Sequence, residues 1–422
     1  MGVARVLLLV PSSTYRVADF LQAAQRLEVE VVVGTEQAHA LSDLMGSASL
    51  EVPLGDPDAA AAAIVAHDGR LPIDAVVAVD DQATVVAAEA AARLGLRHNP
   101  PESVRVARDK LAMRLRLDAA EVPQPAFVAL PAGAGPAELA DVATTIGFPC
   151  VVKPTTLSGS QGVLRADDPD GLRATVARVR RIAERAGVDD GAPLLVERFA
   201  PGAEVAVEGL VRAGELEILA VFDKPDPLEG PAFEETLYVT PSRLARADLD
   251  AVSSAVQGAV RAIGLVDGPV HAEARVADGR ASVIEVAART IGGLCARALS
   301  FGTGQSLEEL VIAHALGRPL GHLQRRRGAA GVLMVPTPRS GVLIGVEGVD
   351  EALAVPGVTG MEVTVAVGRH VAPPPEGNRY LGFVFARALR PAEVEMALRA
   401  AWARLDVQVA PSDDTDVLDT CS

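Results

Sequence analysis

Two strand-like runs late in the sequence carry carboxylates and a guanidinium among small, apolar residues. Glu273 lies in the run Pro269 to Val276 and Glu285 in the run Ala281 to Ala287, and Arg289 follows four residues later. Carboxylates on neighbouring strands repel each other unless a proton or a cation joins them, and their hard oxygens favour Mg²⁺ or Mn²⁺. The alternative is a solvated face with unpaired glutamates. The apolar residues flanking both glutamates count against it.

The length of the loop between these runs decides whether the two glutamates share a face. A two-residue Asp278-Gly279 turn would place them on opposite faces, because side chains alternate along a strand. A three-residue loop, Ala277 to Gly279, with its glycine in the left-handed conformation as a G1 bulge, places them on one face. In that register His271 lies opposite Glu285, with Glu273 diagonal to it. The metal interpretation therefore depends on the three-residue loop.

A lysine at the end of a short apolar strand precedes a loop rich in glycine and hydroxyl groups. Lys153 ends the run that begins at Phe148, and the loop Thr155 to Val163 contains two glycines and four hydroxyl-bearing residues. The backbone N–H groups of such a loop can wrap an anion, and the lysine adds charge. G-K-[ST] is missing, so this is not a P-loop. An ordinary turn with a snorkelling lysine is the competing interpretation.

Two further segments could bind small molecules. In Leu194 to Glu208, two strand-like runs flank Pro201-Gly202. The backbone groups of the connecting segment could bind the edge of an adenine. Alternatively the two runs could form an ordinary hairpin, and the composition favours the hairpin. The loop after Asp223-Lys224-Pro225 carries Glu235 and Tyr238. It could bind a cationic amine or be an exposed connection.

The elements that must position these residues divide the chain into three predicted parts. In residues 1–100, β-type and helical runs alternate, which predicts a small parallel α/β domain, and no G-x-G-x-x-G follows the first strand. In residues 101–323, the strand-like and helical runs alternate less regularly. The basic run at Arg325 suggests a second boundary, and residues 324–422 contain strands and an amphipathic helix from Pro391 to Leu405.

Composition limits the classes of function. The formal net charge of −16 over 422 residues makes nucleic acid or an anionic membrane surface an unsuitable partner. The three cysteines are far apart and lack C-x-x-C spacing, so neither a disulfide framework nor a zinc site is expected. We find no signal-peptide pattern and no apolar run near the roughly 20 residues that span a bilayer. A cytoplasmic protein is expected.

Four features follow one another along the chain: a helix lysine, Lys110; Lys153 before its Gly/Ser loop; E-x-x-x-x-G-x-E from Glu197 to Glu204; and Glu273 followed by E-x-x-x-R from Glu285 to Arg289. This order resembles the ATP-grasp superfamily over nearly the whole chain. The segments Asp223-Lys224-Pro225 and Asn378 to Phe383 look most like its L-amino acid ligase branch.

The resemblance implies a mixed α/β and α+β fold, the ATP-grasp fold. Its parts would be a Rossmann-like amino-terminal domain, two lobes clamping ATP over about 125–200 and 201–323, and a carboxyl-terminal α+β domain that closes the site. ATP and Mg²⁺ (or Mn²⁺) would be the cofactors. The implied nucleotide-binding residues are Lys110, Lys153, the lid residues Ser158, Gly159, Ser160, Gly162 and Val163, the adenine-binding residues Glu197, Arg198, Phe199 and Ala200, and Glu204 on the ribose.

The remaining roles concern the metal and the substrates. Glu273 and Glu285 would bind the metal. Arg289 would hold the carboxylate or acyl phosphate, and Gly292 and Gly293 would let backbone N–H groups approach that oxyanion. The implied substrate residues are Glu235, Tyr238, His271 and Arg289.

The sequence departs from the family pattern at two positions. Many relatives have E-x-N-x-R with a metal-binding asparagine where this chain has Ala287. Some dipeptide-forming relatives have a histidine where this chain has Tyr238.

The activity implied is ATP-dependent amide formation between a carboxylate, such as that of an amino acid, and an amine through an acyl phosphate. The alternatives are a carboxylating enzyme of the biotin carboxylase or purine-pathway type and a non-catalytic ATP-binding regulatory protein. The substrates would be small molecules, and a homodimer is compatible with the sequence.

Overall fold

The computed structural model describes residues 3–12, 14–37 and 46–412. The amino-terminal part is a parallel sheet of order β3-β2-β1-β4 between helices, as the alternating pattern predicts. Its elements are β1 (Arg5–Val10), α1 (Val17–Arg26), β2 (Glu30–Thr35), β3 (Ser49–Glu51), α2 (Pro57–Asp68), β4 (Ala75–Ala78) and α3 (Thr84–Leu94). The β1 strand is buried on both faces: Leu7 packs towards Ile64 of α2, and Leu8 packs towards Phe20 of α1.

A smaller antiparallel sheet of order β5-β8-β6-β7 forms the next layer. Two helices precede it, α4 (Pro101–Arg108) and α5 (Lys110–Ala119); the carboxylate of Asp109 caps α5 by accepting from the N–H groups of Leu111 and Ala112. The other elements of this small lobe are β5 (Phe127–Leu130), α6 (Pro136–Ile146), β6 (Cys150–Pro154), β7 (Leu164–Ala166), α7 (Pro169–Arg185) and β8 (Leu194–Arg198).

The largest sheet has eight strands in the order β13-β12-β9-β10-β11-β14-β18-β16. Its strands are β9 (Ala203–Arg212), β10 (Glu215–Asp223), β11 (Leu237–Thr240), β12 (Asp267–Ala277), β13 (Arg280–Ala287), β14 (Ala329–Val335), β16 (Val358–Val363) and β18 (Gly382–Ala388). Because β11 pairs with β14, the sheet continues across the predicted boundary at residue 324. The large lobe and the carboxyl-terminal part therefore share one sheet.

Helices cover this sheet and connect it to the amino-terminal layer. Val256 of α8 (Arg246–Ile263) packs on β12 and β13, and Leu398 of α11 (Pro391–Trp402) packs on β14 and β18. Ile312 of α9 (Leu307–Ala315) packs against the amino-terminal sheet. A small sheet of β15 (Gly341–Glu347), β17 (His370–Val371) and β19 (Asp406–Ala410), with α10 (Val349–Leu353), completes the chain. Among the described residues, no helix is long and apolar enough to cross a membrane.

The hairpin interpretation of Leu194 to Glu208 is wrong. The β8 strand pairs with β5 and β6, whereas β9 pairs with β10 and β12 in the other sheet. The segment from Phe199 to Gly202 is thus a crossing between the two lobes, and it leads into β9 of the other sheet. The close approach of the carbonyl of Val276, only 2.1 Å from where a Cβ at Gly202 would lie, requires a glycine there.

Candidate active site

A cleft of about 700 Å³ lies between the two lobes at this crossing. It brings together most of the residues that the sequence assigned to nucleotide and metal: Lys110, Lys153, Ser158, Gly159, Ser160, Val163, Glu197, Arg198, Phe199, Ala200, Glu204, Glu273 and Glu285. Glu235 also lines the cleft. Leu228, Phe233 and Arg275 line it as well, and the sequence analysis did not predict them.

Glu273 and Glu285 lie directly opposite each other on β12 and β13. The expected three-residue loop is wrong, because Ala277 pairs with Arg280 across a two-residue turn. Both turn residues have positive φ, 51° at Asp278 and 73° at Gly279, as a type I′ turn requires.

A bulge restores the shared face. The register shifts between Glu273 and Ala274, so Ile284 is an extra residue on β13 and reverses the alternation that the turn sets. His271 consequently lies opposite Ala287 and not opposite Glu285, which corrects the predicted pairing. The two glutamates meet as expected, but by a different route.

Lys153 and Glu197 form a buried ion pair across neighbouring strands of the small lobe. Lys153 Nζ lies 2.6 Å from Glu197 Oε2, and the other carboxylate oxygen lies 2.5 Å from Nε of Arg114. Although burial alone would raise the pKa of Glu197, the cations of Arg114 and Lys153 hold it below its usual value. The carboxylate is therefore ionised and fully engaged by two cations, and it fixes the position of Lys153 in the cleft.

Arg114 is a site residue that the sequence analysis missed. Its side chain is fully buried, and besides Glu197 it donates to the carbonyls of Val283 and Ile284, at 3.2 and 2.6 Å. Those carbonyls belong to the bulge that aligns the paired glutamates. One guanidinium thus joins α5, the small lobe and β13. Its position four residues after Lys110, on the same face of a helix, was a usable signal.

Lys110 connects Glu285 to the loop Thr155 to Val163. Its Nζ lies 3.5 Å from Glu285 Oε1 and donates to the carbonyl of Leu157 at 2.5 Å. The residue is buried, and it is the first residue of α5. This places two lysine ammonium groups, those of Lys110 and Lys153, on one side of the cleft.

A second cluster gathers three carboxylates around one ammonium. Lys224 Nζ lies 2.7 Å from Glu204 and 3.1 Å from Glu273, and it also pairs with Glu235. Although burial alone would lower the pKa of Lys224, the three carboxylates raise it well above its ordinary value. Oxygens of the three carboxylates lie within 4.8 Å of one another, close enough to hold a cation, and the lysine ammonium supplies that charge here.

The predicted amine residues lie at this cluster. Burial raises the pKa of Glu235. The hydroxyl of Tyr380 donates to the second carboxylate oxygen of Glu235 at 3.5 Å, and the ring of Tyr238 lies 5.3 Å from Lys224 Nζ. The exposed-connection interpretation of this loop is therefore wrong for these residues: Tyr238 is buried and Glu235 faces the cleft.

His271 lies between two carboxylates, those of Glu208 and Glu273. Its Nδ1 lies 2.5 Å from Glu208 Oε1 and its Nε2 lies 3.5 Å from Glu273 Oε1. Although burial alone would lower the pKa of His271, Glu208 and Glu273 raise it to about 9. Glu208 also accepts the N–H of Ile291 at 3.0 Å. The histidine thus links Glu273 to the glycine segment after Arg289.

Arg289 lies between the lobes and the amino-terminal domain. Its nearest carboxylate is Asp81, with Nε 3.5 Å from Oδ1, and it donates to the carbonyl of Thr290 at 2.9 Å. Nε is buried and has no hydrogen-bond partner among the described residues. Gly293, four residues after Arg289, has φ of 62°, and a Cβ there would lie 2.7 Å from the ring of Phe383.

The lid loop contacts the carboxyl-terminal domain. The N–H of Gly162 donates to the carbonyl of Pro375 at 2.9 Å, and the side-chain amide of Gln161 donates to the carbonyl of Glu376 at 3.0 Å. The amide of Asn378 donates to Gln161 Oε1 at 3.3 Å. Gly162 does not line the cleft; a Cβ there would meet Pro154 at 2.8 Å.

Three family models match successive parts of the chain. They are described as ATP-grasp N-terminal domain (residues 21–98), ATP-grasp domain (residues 146–298) and L-amino acid ligase C-terminal domain 2 (residues 333–410). One match falls within each of the three predicted parts, and the boundaries themselves stay predictions. Enzymes with the ATP-grasp domain use ATP and Mg²⁺, which confirms the cofactor prediction at the level of the family.

Curated relatives are modestly similar. The uncharacterized protein y4rH of Sinorhizobium fredii is 27% identical over 322 residues, covering 74% of this chain and 64% of the relative. Alanine--anticapsin ligase of Bacillus subtilis is 28% identical over 249 residues, covering 54% of this chain and 51% of the relative. The chain thus spans about half to two thirds of the length of these relatives.

Solved structures agree with the fold. The L-amino acid ligase from Bacillus licheniformis matches with a TM-score of 0.79 at 26% identity, covering 97% of this chain and all of the other. A carboxyaminoimidazole ribonucleotide synthase from Aspergillus clavatus, complexed with ATP, matches at 0.73 and 18% identity, covering 96% of this chain and 99% of the other, and it supports the fold alone. The predicted fold class and family resemblance are confirmed.

Proposed function

Because the chain belongs to the ATP-grasp superfamily and is similar to its L-amino acid ligases, we propose that it is an ATP-dependent ligase. It would join the carboxylate of an amino acid to an amine and release ADP and phosphate. The observation that carries this proposal is the pairing of Glu273 and Glu285 across the bulge, in the cleft that Lys110 and Lys153 line.

The donor set fits a divalent cation. Two carboxylates face each other directly, and the side chain of Glu285 is 29% exposed, towards the cleft that it lines. Ala287, which stands where relatives have asparagine, contributes no side-chain oxygen. Glu273 and Glu285 would therefore hold Mg²⁺, which neutralises phosphate charge when bound.

The reaction needs positioning more than it needs an enzyme nucleophile. The substrate carboxylate attacks the γ-phosphorus of ATP, an acyl phosphate forms and ADP leaves; the amine then attacks the acyl carbon and phosphate leaves. Lys153, held by Glu197, and Lys110 would bind phosphate oxygens. Attraction between opposite charges is stronger in this partly buried cleft than in water, so these fixed cations favour the transfer.

Substrate recognition would fall to the other side of the site. Arg289 has a buried Nε that makes no hydrogen bond to the described residues, and its guanidinium can pair bidentately with the carboxylate or the acyl phosphate. The positive φ of Gly293 suits backbone donors that face the same oxyanion. Glu235 would hold the ammonium of an amino acid substrate, with Tyr238 close by. Closure of the lid, Ser158 to Val163, onto the carboxyl-terminal domain would exclude water from the acyl phosphate.

Adenine recognition would use the crossing between the lobes. Arg198 and Ala200 line the cleft there, and their backbone groups would bind the base. Arg275 fixes the segment by donating to the carbonyl of Ala200 at 2.8 Å and to Glu204 at 2.7 Å. Because the carboxylate of Glu197 is already shared by two cations, its part in adenine binding would be to fix Lys153 and the strand end. Glu204 would hold the ribose hydroxyls.

A phosphate-release screen tests the proposal. The purified chain is incubated with ATP, Mg²⁺ and amino acids singly and in pairs, with bicarbonate as a separate arm, and the products are identified by mass spectrometry. Phosphate release that matches amide formation supports the proposal. Release that depends on bicarbonate without any amine would favour a carboxylating enzyme, and ATP binding without turnover would favour a regulatory protein. The cytoplasmic location and a homodimer stay predictions.

A further inference from the structure

One segment of the carboxyl-terminal domain touches both the phosphate lid and the amine cluster. We call Pro373 to Tyr380 the clamp loop. At one end, the carbonyls of Pro375 and Glu376 accept hydrogen bonds from the lid. At the other end, the hydroxyl of Tyr380 lies 3.5 Å from a carboxylate oxygen of Glu235. The clamp loop therefore contacts the lid at one end and Glu235 at the other.

The clamp loop presents an unpaired cation. Arg379 is exposed, and its guanidinium makes no ion pair or hydrogen bond with any residue in 3–12, 14–37 or 46–412. Two other arginines that contact this domain are paired with carboxylates: Arg178 lies 2.7 Å from Glu376, and Arg297 pairs with Glu362. Arg379 is thus available for an anion that is not part of the chain.

The residue that follows Arg379 in the chain connects the clamp loop to Glu235 and to an aromatic cluster. The next residue, Tyr380, packs against Phe383 with ring centroids 6.1 Å apart, and Phe383 packs against Tyr15 at 5.6 Å. The ring of Phe383 lies over Gly293, where a Cβ would come within 2.7 Å of it. The proposed oxyanion glycine, the amino-terminal domain and the clamp loop therefore meet at this aromatic cluster.

The electrostatics of Tyr15 agree with this placement. Burial raises the pKa of its hydroxyl, the charges of Cys295 and Asp80 raise it further, and the cations of Arg16 and Arg379 oppose the rise. The charge of Arg379 therefore acts at the amino-terminal side of the site, whereas Lys110 and Lys153 lie on the nucleotide side.

The amine-supplying substrate would carry an anion that can pair with Arg379. An amino acid that attacks the acyl phosphate through its amine keeps a carboxylate that does not react. That carboxylate needs a cation distinct from Arg289, which is assigned to the activated group. The exposed guanidinium of Arg379, next in the chain to the Tyr380 that contacts Glu235, can bind it bidentately and orient the amine.

We propose that Arg379 holds the unreacted carboxylate of the amine-supplying substrate and selects amino acids over simple amines. This inference rests on the proposed amide-forming activity. It assigns Arg379 as a substrate-binding, specificity-determining residue, and it makes the product a dipeptide with a free carboxyl terminus.

The test compares amine substrates that differ only at that carboxylate. For the best amino acid pair from the screen, steady-state kinetics are measured with the amine-supplying amino acid and with its carboxamide, in wild type, Arg379→Ala, Arg379→Lys and the control Arg369→Ala. Arg369 is another exposed arginine of the same domain. Arg379→Ala should raise KM for the amino acid about 10- to 100-fold, as expected for loss of a charged hydrogen bond. KM for the carboxamide, for ATP and for the activated amino acid should change less than about twofold.

The lysine variant and the control variant separate the effect of the Arg379 charge from a general effect of substitution. Arg379→Lys should recover part of the preference for the free carboxylate, and Arg369→Ala should behave as wild type. An equal loss with amino acid and carboxamide, a change in KM for the activated amino acid, or unchanged kinetics in Arg379→Ala would each overturn the assignment while leaving amide formation intact. Absence of any amide product from the wild type would overturn the proposed function, and this assignment with it.

Discussion

Arg114 and Glu197 form a buried ion pair that connects three parts of the site. The guanidinium Nε lies 2.5 Å from the carboxylate, and both side chains are almost completely excluded from solvent. From this position Glu197 holds Lys153, and Arg114 holds the bulge carbonyls beside Glu285. The lysine that would bind phosphate and the glutamate that would bind metal are therefore fixed relative to each other through one guanidinium.

Replacing this arginine should destabilise the protein and misplace the cleft residues. Arg114→Met should lower the free energy of unfolding by about 3 kcal/mol, because it leaves a buried carboxylate with one cation in place of two and two carbonyls without donors. Urea unfolding measures the change. Arg116→Met is the matched control, since Arg116 is on the same helix, half-exposed and 4.0 Å from its nearest carboxylate; it should stay within about 0.5 kcal/mol. Equal losses in the two variants would contradict the role given to Arg114.

Glu285→Gln should leave the fold intact and remove most turnover. The substitution keeps the shape of the side chain but removes the charge that Mg²⁺ requires, so kcat/KM should fall by about 100-fold or more. Coupled ADP-release kinetics at several Mg²⁺ concentrations provide the measurement. Glu215→Gln, at an exposed ion pair with Arg261, serves as the control. Wild-type turnover in Glu285→Gln would refute the metal assignment.

His271 should make stability fall with rising pH. Its pKa of about 9 in the folded protein exceeds the ordinary value of 6.5, so the folded state keeps a proton that the unfolded chain releases. The stabilisation is complete below about pH 6.5 and is lost as pH rises through about 9, a loss of roughly 3 kcal/mol at most. Urea unfolding between pH 6 and 10, without metal or nucleotide, should show this loss in wild type.

A histidine variant isolates this contribution. His271→Gln should remove the part of the pH dependence that lies between pH 6.5 and 9 and should be less stable than wild type at pH 6. His322→Gln, at an exposed position, should keep the wild-type slope. If His271→Gln kept the full slope, the ion pair with Glu208 would not be its cause.

Gln161→Ala should uncouple ATP hydrolysis from amide formation. The side chain makes both amide contacts between the lid and the clamp loop, at 3.0 and 3.3 Å, so its loss should let water reach the acyl phosphate. The ratio of phosphate released to amide formed should rise about two- to tenfold. Thr156→Ala is the control, because Thr156 is exposed in the same loop and makes no side-chain hydrogen bond to the described residues. A ratio of one in Gln161→Ala would show that the contact does not seal the site.

Local sequence patterns predicted the helices and strands well. They predicted the contacts of the charged side chains less well. The strands and helices of residues 1–94 alternate as the sequence predicts, because burial on both faces of a strand and helical periodicity are local signals. The shared face of Glu273 and Glu285 was predicted correctly from the wrong loop. A bulge at Ile284 is set by contacts from Arg114, which lies 170 residues away in the sequence.

The remaining errors have the same origin. Whether the segment after Arg198 forms a hairpin or a crossing depends on which sheet each strand joins, and composition does not encode that choice. The contact between Gln161 and Asn378 spans 217 residues. Such pairings arise from tertiary packing. Patterns in a single sequence therefore predict which residues take part in the site but not which residues they contact.

The unbroken eight-stranded sheet determines where this protein can be divided. Cutting the chain at residue 324 would strip β14 from β11 and leave an open strand edge, which invites aggregation. The small lobe, by contrast, has its own sheet and joins the rest near Pro125 and at Phe199 to Gly202. Chimaeras with related enzymes should therefore exchange the small lobe at those two crossings, and should transfer the lid together with the clamp loop that it touches.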